Sequence, residues 1–144
     1  MGMKVEEVMS KNMHSVEFEA SLMDAADRMK RYDVGILPVM KAGKVTGVIS
    51  DRDIVVRAVA LGKDSKIAKV REAMTEGPVW CKADSSVEDA VRIMKDRKVR
   101  RVLVADSQDK PVGVLSVGDL AAHPEGRKHA CELIEEVCKD LEKE

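Results

Sequence analysis

Two stretches of this chain are near copies of two others, and that repetition limits the possible folds more than any other feature. Lys4-Val5-Glu6-Glu7-Val8-Met9-Ser10 returns as Lys69-Val70-Arg71-Glu72-Ala73-Met74-Thr75. Gly47-Val48-Ile49-Ser50-Asp51-Arg52-Asp53-Ile54 returns as Gly113-Val114-Leu115-Ser116-Val117-Gly118-Asp119-Leu120. That period, about 65 residues, is too long for a solenoid repeat and suits a small supersecondary unit that needs a partner to bury its apolar side. The repetition therefore predicts two halves related by approximate two-fold symmetry that bury their apolar faces on each other.

The 144 residues suffice for one ordinary domain or two fused small ones, and 44% hydrophobic content can build a core. A formal net charge of -1 excludes a global basic field that would recruit nucleic acid or an acidic membrane surface. One Trp, one Tyr and one Phe leave almost no stacking platform for single-stranded nucleic acid. No apolar run approaches the roughly 18 residues of a membrane span, and the N-terminus lacks a signal-peptide pattern, so the expected location is cytoplasmic. Cys81, Cys131 and Cys138 are odd in number and form no C-x-x-C pair, so packed free thiols are expected. His129 and Cys131 are two apart, on different sides of a helix, and no metal site is expected.

Each copy reads as helix, strand, strand, helix. After a short helical turn from Val5 to Met9, Ser21 is placed to cap a helix carrying Leu22, Ala25, Ala26 and Met29, which stops near Asp33. Ile36 to Met40 and Val45 to Ile49 then form a hairpin around Lys41-Ala42-Gly43-Lys44. A second helix follows Ser50, with Ile54, Val55, Ala58 and Val59 as its apolar face and Gly62 at its end. In the second copy Ser86 caps a helix bearing Val87, Ala90, Val91 and Met94, and Val99 to Ala105 pairs with Pro111 to Leu115. After Pro124 a last amphipathic helix, without a counterpart in the first copy, carries Ala130, Ile134, Val137, Cys138 and Leu141 on one stripe. The boundaries are residues 1–64 for the first repeat, 65–124 for the second and 125–144 for the C-terminal helix.

The chemistry-bearing motif is Ser-x-x-Asp at the foot of each hairpin, Ser50 to Asp53 and Ser116 to Asp119. Taken alone, each copy also fits a capping box. A cap needs neither the preceding Gly-x-x nor Asp in both copies, since Glu or Gln also serves. The same geometry presents helix N–H groups to an anion and a fixed carboxylate to a ribose diol.

The order of elements, the Val-Gly-Ile-Leu-Pro-Val run at residues 34–39, the Val-x-x-Met-Ser/Thr openings and the paired Ser-x-x-Asp motifs together resemble a tandem pair of CBS domains, the Bateman module. The resemblance covers residues 4–121. It implies an α+β fold of two β-α-β-β-α repeats packed with pseudo-two-fold symmetry, and a regulatory, non-catalytic module without an attached enzyme domain. No cofactor is required. The regulatory ligand it implies is adenosine-containing: AMP, ADP or ATP, with S-adenosylmethionine or NAD as further members.

The resemblance also implies crossed sites, with Ser50 and Asp53 facing Val79, Trp80, Arg100 and Arg101. Ser116 and Asp119 would face Ser15, Val16, Gly35, Ile36 and Pro38. The two sites are unequal, because Trp80, Arg100 and Leu103 stand where the first copy has Ser15, Gly35 and Pro38. Arg100 and Arg101 suit a phosphate, since a guanidinium offers bidentate donors. Arg52 and Arg57 either reach a phosphate too or lie on a solvated helix face. Partners implied are a homodimer and a regulated protein acted on in trans, with no nucleic acid and no membrane. An alternative is a constitutive dimeric interaction module whose clefts hold no ligand. The sequence has no G-x-x-x-x-G-K-[ST], H-E-x-x-H or G-x-S-x-G motif that would support an enzyme.

Overall fold

The structure is a computed structural model describing residues 2–11 and 13–139. It divides into a first unit, His14–Pro78, and a second that joins the residues up to Met13 to those from Val79 onward. The packed units are thus offset from the sequence repeats. The opening motif of each repeat packs in the unit that carries the other copy's hairpin.

In the first unit, β1 (Val16–Glu17) runs parallel to β2 (Ile36–Lys41), which pairs antiparallel with β3 (Lys44–Ser50). The strand β4 (Thr75–Glu76) adds to the far side of β3, giving the order β1-β2-β3-β4. Helix α1 (Leu22–Tyr32) begins where Ser21 Oγ accepts the Asp24 N–H at 3.1 Å, so the predicted cap is present. It buries Leu22, Ala25 and Met29 and ends at Asp33 in the left-handed conformation. The β2–β3 loop is Ala42-Gly43, and both residues take the positive φ that a two-residue hairpin requires to match the twist of its strands.

After Ser50 comes a single α turn, α2 (Asp51–Ile54), continued by a π-helical turn at Val55–Val59. This departs from the expected apolar face. Ala58 is buried and Ile54 half-buried, but Val55 and Val59 are 56% and 63% exposed. The wider π turn shifts the angular spacing away from the regular α-helical period on which the expectation rests.

The second unit repeats the plan with β5 (Trp80–Lys82), α3 (Val87–Arg97), β6 (Arg101–Ala105), β7 (Pro111–Ser116) and α4 (Val117–Ala122). Ser86 caps α3 through the Asp89 N–H at 3.1 Å, and Lys98 ends it in the left-handed conformation. The β6–β7 turn is held by Asp106, whose Oδ1 accepts the Gln108 and Lys110 N–H groups at 2.8 and 3.0 Å. Ser10 bridges Val114 of β7, as Thr75 pairs with Val48 of β3. Two glycines make that approach possible. A Cβ on Gly47 would stand 2.3 Å from the Thr75 carbonyl oxygen, and one on Gly113 would stand 2.5 Å from that of Ser10.

Helix α5 (Arg127–Cys138) lies against α3 and α4 in this unit. Its buried residues are Ala130 and Leu133, while Ile134, expected on the inner stripe, is 40% exposed; the stripe is turned by one residue. Leu141 lies outside the described residues.

Cys81 is buried in the second unit's core, and desolvation pushes its thiol up to about 11. Cys131 is exposed. A thiol-disulfide reagent at mildly alkaline pH is therefore expected to label Cys131 rapidly and Cys81 only on unfolding. Because the folded state holds the Cys81 proton above the thiol's ordinary value of 9.0, the unfolded state binds fewer protons between that value and about 11. Stability should then fall with rising pH by up to about 2 kcal/mol, and Cys81→Ala should flatten that limb in denaturant titrations. Equal labelling of both thiols in the native protein would contradict the assignment.

Candidate functional site

The residues singled out in the sequence gather at one end of the sheet within each unit. In the first unit Ile36 is in register with Ser50, and the Gly35 carbonyl accepts the Asp51 N–H at 2.9 Å, so the β3–α2 junction closes on the start of β2. Val16 is in register with Val39, which sets Ser15 beside buried Pro38. The Ser15 carbonyl accepts from Arg28 at 3.2 Å. Ser15, Val16, Gly35, Ile36, Pro38, Ser50 and Asp53 thus belong to one strand-end cluster.

The second unit builds the same cluster from different side chains. Arg101 is in register with Ser116, and the Arg100 carbonyl accepts the Val117 N–H at 3.0 Å. Half-buried Trp80 is in register with Leu103, whose N–H donates to the Val79 carbonyl at 3.0 Å. Val79, Trp80, Arg100, Arg101, Ser116 and Asp119 therefore share this end.

Both Ser-x-x-Asp motifs form reciprocal capping boxes. Asp53 Oδ2 accepts the Ser50 N–H at 3.0 Å while Ser50 Oγ accepts the Asp53 N–H at 3.1 Å. Ser116 and Asp119 repeat both bonds at the same lengths. Capping and ligand binding are compatible, because the cap occupies only one carboxylate oxygen and locks the rotamer of the other.

The second oxygen is where the copies part. Asp119 Oδ1 accepts a hydrogen bond from the Ser10 hydroxyl at 2.9 Å. Asp53 Oδ1 instead lies 4.0 Å from Arg57 Nε. Arg57 Nη1 also donates to the Ala73 and Met74 carbonyls at 3.2 and 2.9 Å and to Thr75 Oγ1 at 3.2 Å. Arg57, on the π turn, thus braces α2 to the segment before β4, a role not weighed for it in the sequence. Ser10 is absent from the residues singled out there; the signal that points to it is its recurrence as Thr75 at the end of each opening motif. The side chains of Arg52, Arg100 and Arg101 are on exposed residues and enter no hydrogen bond or ion pair among the described residues. They are cations held at or beside the two cluster ends without a partner among the described residues.

Among the described residues, no group of three or more His, Cys, Asp or Glu side chains could hold a metal ion. No helix among them is long and apolar enough to cross a membrane.

A sequence model of the CBS domain matches residues 5–59 and 70–126. The CBS domain-containing protein YhcV of Bacillus subtilis is 34% identical over 119 residues, covering 83% of this chain and 84% of its own. A solved CBS-domain protein of Thermoplasma acidophilum, of unknown function, superposes with a TM-score of 0.84 at 24% identity, over 96% of this chain and 78% of that one. The CBS domain pair of the protein MJ0100, solved with 5'-methylthioadenosine and S-adenosyl-L-methionine, superposes with a TM-score of 0.73 at 24% identity, over 85% of this chain and 95% of that one.

Proposed function

Since this chain belongs to the CBS-domain family and carries two copies of the domain, we propose that it is a non-catalytic cytoplasmic sensor that binds adenosine-containing ligands at its two Ser-x-x-Asp ends. The observation that carries this is the paired carboxylate geometry. In each copy the cap fixes one oxygen and leaves the other with a single hydroxyl donor or a distant guanidinium, free to accept from a ribose diol. The adenosyl ligands of the MJ0100 pair support the ligand class. Arg52, Arg100 and Arg101 provide guanidinium groups without a partner among the described residues, which favours AMP, ADP or ATP over an uncharged nucleoside. Occupancy would act in trans, shifting the equilibrium of a regulated protein by the difference in affinity between its bound and free states. The chain would also self-associate, and light scattering would report twice the monomer mass.

Calorimetry on ligand-free protein with AMP, ADP, ATP, S-adenosylmethionine and NAD tests the proposal. At least one is expected to bind, Asp53→Ala and Asp119→Ala each weakening one class of site by tenfold or more. A ligand at about 100 times its Kd should add about 2.7 kcal/mol to stability, since it binds only the folded state. No heat with any of the five, and a melting temperature indifferent to all, would leave a constitutive interaction module instead.

A further inference from the structure

The opening motif of each repeat brings a hydroxyl to the Ser-x-x-Asp end of the unit it packs in, and the two hydroxyls find different partners. Ser10 exchanges backbone hydrogen bonds with Val114 at 2.9 and 3.0 Å, and Thr75 is in register with Val48, the matching residue of β3. Each hydroxyl is therefore carried on a fixed backbone, and little freedom beyond χ1 is left to lose when it makes a bond. Ser10 Oγ donates to Asp119 Oδ1 at 2.9 Å. Thr75 Oγ1 instead accepts from Arg57 Nη1 at 3.2 Å, and Arg57 Nε stands 4.0 Å from Asp53 Oδ1. The residue four after the aspartate decides between these arrangements. In the first copy it is Arg57, on the π turn; in the second it is His123, extended and past the end of α4. The His123 side chain enters no hydrogen bond or ion pair among the described residues, and Asp119 enters no ion pair among them.

From this we infer that Ser10 is a positioning residue for Asp119 and makes the second unit's end the one that discriminates ribose from deoxyribose, given the proposed role of Asp119 as acceptor for a ribose diol. The Ser116 N–H fixes Oδ2 and the Ser10 hydroxyl fixes Oδ1, so neutral donors hold the carboxylate plane from both sides. Each carboxylate oxygen has a second lone pair, so Oδ1 can still accept from a ligand hydroxyl. Bonds of that kind weaken steeply when misaligned, and a plane set in advance rewards a diol that meets it with both hydroxyls. Asp53 lacks the second constraint. Its Oδ1 has only a guanidinium at 4.0 Å, too long for a hydrogen bond to set a direction. The recurrence of Ser10 as Thr75 shows that the register accepts either hydroxyl residue, which makes threonine the conservative replacement.

The probes are AMP, 2'-deoxy-AMP and 3'-deoxy-AMP, titrated calorimetrically into the full chain carrying Asp53→Ala, so that only the Asp119 end is read. Adding Ser10→Ala, an exposed substitution, is expected to weaken AMP about tenfold, and to change the deoxy form that lacks the hydroxyl facing Oδ1 by less than about twofold. Ser10→Thr should restore the AMP affinity. Equal weakening of all three nucleotides would mean general damage to the unit and would overturn the assignment. A second readout needs no ligand. With aspartate carboxyl carbons isotope-labelled, the Asp119 signal of the ligand-free chain should shift in Ser10→Ala and return in Ser10→Thr. A signal that ignores Ser10→Ala would overturn the assignment whatever the nucleotides do. A signal that responds, in a chain that gives no heat with any nucleotide, would uphold the positioning of Asp119 by Ser10 while the sensor reading falls.

Discussion

Gly113→Val is expected to cost about 3 kcal/mol of stability and to free the N-terminal segment from β7. Gly113 is not at positive φ, so backbone strain is not the cause. The cause is space: the new Cβ would stand 2.5 Å from the Ser10 carbonyl oxygen and 2.9 Å from Met9 Sδ. Relief requires the segment to retreat, breaking the Ser10 N–H to Val114 O bond at 2.9 Å and its reciprocal at 3.0 Å. That retreat would also pull at Val5 and Val8, 0% and 5% exposed in the core of this unit. Gly47→Val should do the same to Thr75 in the first unit, where the approach is 2.3 Å. Denaturant titration reads the loss, and amide exchange at Val114 and Val48 reads the detachment. A cost below about 1 kcal/mol with both amides still protected would show that the contact is not what requires glycine.

Leu120→Ala is expected to cost about 3–4 kcal/mol, against about 1 kcal/mol for Ile54→Ala at the equivalent position. Leu120 is 0% exposed, enclosed between the sheet side of the unit and α5. Its carbonyl oxygen would be 2.3 Å from a Cβ on Gly126, so the start of α5 is seated directly on it. Truncation there opens a cavity and loosens the anchor of α5. Ile54 keeps one side in solvent, and its removal leaves little void. Equal costs in matched denaturant titrations would mean that α5 contributes no burial at Leu120.

Local chemistry makes much of this architecture legible in the sequence. Ser21 and Ser86 mark helix starts because a hydroxyl one residue before an apolar run has a local partner in the N–H three residues on. The Ala42-Gly43 hairpin and the paired Ser-x-x-Asp motifs are legible for the same reason: every bond they make lies within a few residues. What escapes depends on distant segments. Nothing near Ser10 says which strand edge it will join, and its partner Asp119 lies 109 positions away. Arg57 reads as a solvent or phosphate cation because the carbonyls it braces, Ala73 and Met74, follow a polar linker. Val55 and Val59 look like a buried face because periodicity records apolar spacing and not whether a covering helix exists in this copy. Leu133 rather than Ile134 faces inward because α5's rotation is set by where α3 and α4 leave room.

The pairing of Ser10 with Val114 also fixes an order of events during synthesis. The segment around Ser10 leaves the ribosome before His14–Pro78, yet β7, whose edge it joins, is made after that unit. His14–Pro78 is continuous and can fold as soon as it emerges, with Thr75 supplying its edge strand from within. The apolar side chains of Val5 and Val8 must meanwhile wait uncovered until the rest of their core, from Cys81 onward, has been made. The pairing of Ser10 with Val114 therefore waits for the whole of the first unit and most of the second to be made.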